Sequence, residues 1–208
     1  MINSDDLINK VKSYNKFLNP DTLDKAYNFA LKAHEKQKRD EGSPYIIHPV
    51  AVANILTELK LDSATIATGL LHDTIEDTFA TYETIKTEFG DEVAELVDGV
   101  TKISVFENTA GSNSKVENFR KLILATSKDI RVLLVKIADR LHNMRTIKAI
   151  PKKEKRQRIA QETMEIYAPL ADRMGMHRIR DELEDLSFEI LNNEARELIK
   201  RKLDEIKL

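Results

Sequence analysis

Apolar residues recur at helical spacing along nearly the whole chain, and no segment keeps the apolar–polar alternation of a half-buried strand. The run DTLDKAYNFALKAHEKQ sets Leu23, Tyr27, Ala30, Leu31 and His34 along one face, with Asp21 as its expected N-cap. HPVAVANILTELK predicts a helix with Pro49 in its first turn, where a missing N–H has no helical partner to lose. DSATIATGLLHDTIED predicts a single helix capped by Asp62, and DEVAELVDGVTKIS predicts another after a helix-ending Gly90. KDIRVLLVKIADRLHNMRTIKAI is the most apolar helix, and its front half is the expected central core. A further helix opens at Pro151 and meets Pro169, which should kink or break it. The tail RDELEDLSFEILNNEARELIKRKLDEIKL reads as one or two amphipathic helices with i,i+4 opposite-charge pairs.

Two segments interrupt the pattern. KRDEGSPYIIHP predicts a charged turn entering a short strand-like piece, and ENTAGSNS, at 107–114, predicts a mobile polar loop. The expected architecture is all-α: a compact multi-helix domain with a C-terminal helical extension. Its expected divisions are an N-terminal helix over 1–20, a main domain over 21–175 and the extension over 176–208.

Composition narrows the chemistry. The 208 residues carry a formal net charge of −2, which gives no reason to expect attraction to nucleic acid. There is no cysteine, so disulfides and thiolate metal sites are excluded and any metal must be held by imidazole and carboxylate. The polar start MINSDDLINKVKSYNK lacks the apolar core of a signal peptide, and no apolar run approaches the ~20 residues that cross a bilayer. A cytoplasmic protein with no membrane partner is expected.

The polar residues inside apolar helices then need an account. In LLHDTIEDT, at 70–78, His72, Asp73, Glu76 and Asp77 would fall within an arc of about 140° on one continuous helix. His48 follows two isoleucines, and Asp139 lies four residues after Val135 in the most hydrophobic stretch. Taken singly, His48 has a structural reading as the donor to a backbone carbonyl, and Asp139 as the partner of Arg140, Arg145 or a lysine. His34 and His177 read as structural or surface residues, and His142 as helix-face packing. Taken together, two neutral imidazoles and two carboxylates make a donor set for one divalent cation.

The spacing H…HD…D across His48, His72–Asp73 and Asp139 resembles that of the HD metal-dependent phosphohydrolases. The blocks GSPYIIHPVAVANIL, GLLHDTIEDT, EFGDEVAELVDGVTKI, KDIRVLLVKIADRLHNMRT and ETMEIYAPLADRMGMHRIRDELEDLSFEIL are similar, in order, to the hydrolase domain of the long RelA/SpoT alarmone enzymes. The similarity spans roughly 21–191. It implies an HD fold that removes the 3′-pyrophosphate of (p)ppGpp, giving GDP or GTP and pyrophosphate, usually with Mn²⁺. It implies His48, His72, Asp73 and Asp139 as metal ligands, and Glu76 and Asp77 as the pair that orients and deprotonates the attacking water. It implies Arg39, Asn143 and Thr146 as substrate contacts.

Departures from the family also stand in the chain. Asp40 and Glu41 follow Arg39 where a second basic or small residue is usual, and these acids would weaken polyphosphate binding unless they point to solvent. Long members continue into a synthetase domain, so this chain is expected to lack synthetase activity. Two other readings fit the residues: a phosphohydrolase for another nucleotide, and a catalytically silent remnant that binds alarmone.

Overall fold

The computed structural model describes residues 2–16, 18–109 and 128–206, with the backbone alone over 106–109. The described residues form α1 (Ser4–Lys12), α2 (Pro20–Ala33), α3 (Ile47–Glu58), α4 (Ser63–Leu71), a short α5 (Thr74–Asp77), α6 (Tyr82–Phe89), α7 (Asp91–Thr109) and α8 (Arg131–Arg145). After a 3₁₀ turn at Ile147–Ala149 come α9 (Lys153–Glu162), a π-helical turn (Thr163–Tyr167), α10 (Ala168–Arg173), α11 (His177–Leu191) and α12 (Asn193–Ile206). No strand occurs among the described residues. The chain divides into two compact units, Met1–Asp139 and Arg140–Leu208, with the division inside α8.

The first unit is organised around α4, which packs against α2, α3 and α7. Covered on several sides, α4 buries every residue from Thr65 to Leu71, so its apolar positions are continuous rather than confined to one stripe. Ile66, Leu70 and Leu71 on α4 join Val52, Ile55 and Leu56 on α3 and Val97 and Val100 on α7 in the core. Each buried aliphatic side chain of this size contributes about 1.5–3 kcal/mol against exposure. Gly69 permits the α3–α4 contact: a Cβ there would sit 2.6 Å from Leu56 Cδ1 and 3.3 Å from the Ala53 main chain. Gly99 plays the same part for α7 against Val132 of α8.

Several expected boundaries shift. Asp62 caps α4 as expected, accepting from Thr65 N and Thr65 Oγ1. Asn19, not Asp21, caps α2, because Pro20 starts the helix two residues earlier than a cap at Asp21 would, and Asn19 Oδ1 accepts from Asp21 N. Leu31 is largely exposed, whereas His34 is buried. The strand-like piece before His48 is only a bridge between Lys38 and Pro44 across a turn with Gly42 at φ +85°. The helix then begins at Ile47, leaving Pro49 in its first turn. The polar loop expected at 107–114 continues α7 through Thr109, and its remainder lies outside the described residues.

The second unit packs α11 against α9, the π-helical turn and α10. Pro169 acts as expected: the helix from Lys153 widens into the π turn just ahead of it, and Pro169 falls in the first turn of α10, where it needs no donor. Buried Arg140 stacks on the Tyr167 ring at 4.1 Å and pairs with Glu162 at 3.0 Å. The tail forms two helices, and α12 buries none of its residues.

Candidate metal centre

The expected single helix through LLHDTIED is broken. α4 ends at Leu71, α5 starts at Thr74, and His72 and Asp73 form the bend between them, with the Thr74 hydroxyl donating to the Leu71 carbonyl at 2.6 Å. The break has a consequence for chemistry. Adjacent residues on a straight helix point about 100° apart and do not face each other. At this bend they converge, and His72 Nε2 lies 3.1 Å from Asp73 Oδ2.

Two other elements aim at the same point. His48, in the first turn of α3, brings its Nε2 to 3.3 Å from His72 Nε2 and 3.5 Å from Asp73 Oδ2. Asp139 on α8 brings Oδ1 to 3.2 Å from His48 Nε2 and 3.9 Å from His72 Nε2. His48, His72 and Asp139 are all buried, and one donor atom from each lies within 4.8 Å of the others. Donors sharing one cation at about 2.1 Å sit roughly 3.0–3.4 Å apart, so these spacings fit a shared cation. His72 Nδ1 is 2.9 Å from the Gly69 carbonyl, an arrangement that puts the proton on Nδ1 and leaves the Nε2 lone pair facing the cluster. Two buried imidazole nitrogens and two carboxylates converging on one point make a donor set that suits a divalent metal once His72 gives up its extra proton.

The electrostatics agree. Burial pushes the His48 imidazolium down. Burial pulls the same way on His72, but the charge and hydrogen bond of Asp73, with help from Asp139, outweigh it and hold His72 at about 9. Burial opposes ionisation of Asp139, yet Lys136 and the two imidazoles keep its carboxyl well below the usual range.

Around this set stand the other expected residues. Glu76 and Asp77 lie on α5, both more open to solvent than the donor set, and partial desolvation together with the Asp73 charge holds Asp77 above the ordinary carboxylate range. Arg39 sits in the turn before α3, with its guanidinium 5.8 Å from the Tyr45 ring. Asp40 and Glu41 are exposed, and Glu41 accepts from the Ser43 hydroxyl, so neither acid is buried with the donor set. Asn143 and Thr146 follow Asp139 along and just past α8 and belong to the second unit.

Two participants were not expected. Lys136 is buried and donates to Asp139 Oδ2 at 2.9 Å and Ser104 Oγ at 3.0 Å, so the lysine among the partners considered for Asp139 is the one three residues before it. Its i,i+3 spacing was a readable signal. Tyr45 donates to Asp73 Oδ2 at 2.6 Å; its only hint was a place three residues before His48.

An all-helical unit that converges two histidines and two aspartates on one buried point defines a class of metal-dependent hydrolase scaffolds. The chain belongs to the HD-domain family, whose model matches residues 26–177. It is 50% identical over 206 residues to a GTP pyrophosphokinase, rsh, of Brucella melitensis, covering 99% of this chain and 27% of that protein. It is 52% identical over 175 residues to the guanosine-3′,5′-bis(diphosphate) 3′-pyrophosphohydrolase of Haemophilus influenzae, covering 84% of this chain and 26% of that protein. The chain thus spans about a quarter of the length of these RelA/SpoT-type relatives. The solved structure of a metazoan ortholog of SpoT, described as hydrolysing ppGpp, superposes with a TM-score of 0.57 at 27% identity, covering 81% of this chain and 92% of that one. Among the described residues no helix is long and apolar enough to cross a membrane.

Proposed function

We propose that the chain is a Mn²⁺-dependent (p)ppGpp 3′-pyrophosphohydrolase. The observation that carries this reading is the convergence of His48, His72, Asp73 and Asp139 beside an acidic pair, Glu76 and Asp77, on the adjoining short helix. The names of the relatives and of the structural neighbour supply the substrate class.

His48, His72, Asp73 and Asp139 would hold the cation, which when bound supplies Lewis-acid charge for the pyrophosphate oxygens. Glu76 and Asp77 orient a water molecule toward the phosphorus attached to the 3′ oxygen. The new bond is water oxygen to phosphorus and the breaking bond is phosphorus to the 3′ oxygen; Asp77 takes the water proton, and the 3′ oxygen leaves with the bonding pair and takes a proton from solvent to become the 3′-hydroxyl. An acceptor with a raised pKa is better matched to that role than an ordinary aspartate. Arg39 provides a planar cation for the base or a phosphate, and Asn143 and Thr146 contribute hydrogen bonds to the guanosine. Lys136 keeps Asp139 ionised and oriented through Oδ2, which leaves Oδ1 toward the two histidines. A cytoplasmic setting fits a small-molecule nucleotide substrate.

The test is pyrophosphate release from ppGpp with added Mn²⁺, with chelator, and with GTP as control substrate. Release that needs Mn²⁺ and spares GTP is the expected result. Converting Glu76→Gln and Asp77→Asn together should reduce release at least 10²-fold while Mn²⁺ remains bound, since general-base assistance contributes about 10²–10⁴-fold. Retained activity in that variant would overturn the role given to the pair.

A further inference from the structure

Tyr45 stands between the donor set and the acidic pair. Its hydroxyl donates to Asp73 Oδ2 at 2.6 Å and reaches Asp77 Oδ2 at 3.3 Å. The first carboxylate belongs to the metal-side set and the second to the side where water would attack. Two neighbouring carboxylates repel and would splay apart without a shared donor.

The phenol is itself held. Its ring stacks on His34 at 4.7 Å with 27° between planes, and meets His48 edge-on at 5.9 Å. His34 is buried, and its Nδ1 lies 2.5 Å from Gln37 Oε1. Gln37 Nε2 in turn donates to the Asp77 main-chain carbonyl at 2.5 Å, and the Gln37 carbonyl accepts from Tyr45 N at 3.1 Å. His34, Gln37, Asp77 and Tyr45 therefore close a ring of contacts drawn from α2, the following turn and α5. Among the described residues the Nε2 of His34 meets no hydrogen-bond partner, and it is buried, a costly placement for a residue that serves only as packing. An imidazole that offers Nδ1–H to Gln37 and a flat face to Tyr45 accounts for that placement.

Building on the hydrolase reading, we propose that Tyr45 is a positioning residue: its hydroxyl sets Asp77 against the metal-side carboxylate Asp73, and His34 and Gln37 keep the phenol and the Asp77 main chain in register. Tyr45 acts through these carboxylates and has no direct role at phosphorus. The consequence is a site whose water-activating group moves with its cation-binding group.

Tyr45→Phe keeps the ring and its stack on His34 while removing the hydroxyl, so it tests the bridge alone. Titrating Mn²⁺ into the full chain, with free Mn²⁺ followed by electron paramagnetic resonance, should show affinity weakened about tenfold, the low end for losing a partner of a metal ligand. At saturating Mn²⁺, kcat for ppGpp should fall about 10–100-fold with KM within twofold. In the background of Asp77→Asn, adding Tyr45→Phe should cost no further kcat, because a residue acting through Asp77 has nothing left to position. Unchanged affinity together with unchanged kcat overturns the proposal, and so do losses that multiply in the double variant. If the wild-type chain releases no pyrophosphate from ppGpp yet Tyr45→Phe still weakens Mn²⁺ binding, the substrate reading fails while the link from Tyr45 to Asp73 stands.

Discussion

His72 carries the sharpest pH consequence in the molecule. Its imidazolium is held at about 9 by Asp73, above an ordinary value near 6.5. A raised pKa means that, without metal, the proton contributes stability fully below pH 6.5 and loses it as pH climbs through 9. Metal must displace that proton, because only the neutral imidazole coordinates. Apparent Mn²⁺ affinity should therefore rise about tenfold per pH unit from 6.5 to 8.5. Metal titrations at those pH values check this; a plateau above pH 7 would show a His72 with an ordinary pKa. His48, pushed the other way by burial, is already neutral and adds nothing to that slope.

At the scale of elements, the bend after α4 matters more than the helix before it. Helical periodicity located both flanks of LLHDTIED, but a periodic pattern assumes a straight axis and could not show that the axis breaks at His72. The break arises where the Thr74 hydroxyl takes the Leu71 carbonyl, and it turns neighbouring His72 and Asp73 onto one point. The opposite end of α4 is held by Asp62, whose carboxylate accepts twice from Thr65. Asp62→Ala should lower stability by about 1 kcal/mol, the usual worth of such a cap. In a chain of this size that is a fall of about 2–4 °C in Tm. With α4 anchored along its length in the core, kcat at saturating metal should stay within twofold; thermal melts and steady-state kinetics on the same preparation distinguish the two effects.

For the molecule as a whole, the four donors come from three separate elements of the first unit, so a cation joins α3, the α4–α5 bend and α8. A ligand that binds only the folded state at a hundred times its Kd stabilises by about 2.7 kcal/mol. Adding Mn²⁺ to chelator-treated protein should thus raise Tm by roughly 5–10 °C, read by calorimetry. A shift under 1 °C would mean that the donor set does not bind Mn²⁺.

The sequence by itself determined the helical class, the absence of thiolate chemistry, and the residues H…HD…D, because helical periodicity and residue type are local properties. It also located Asp62 and Pro169 correctly, since caps and proline act on their own turn. It misplaced the cap of α2 by two residues and made a strand of the segment before His48, where the choice between extended and helical backbone was settled by neighbours. Tertiary structure alone decided that Asp139 meets His48, that His34 is buried under Tyr45, and that Tyr45 spans Asp73 and Asp77. Those contacts join residues from 11 up to 91 positions apart, and such pairings are set by how the helices pack, which periodicity along one chain does not encode.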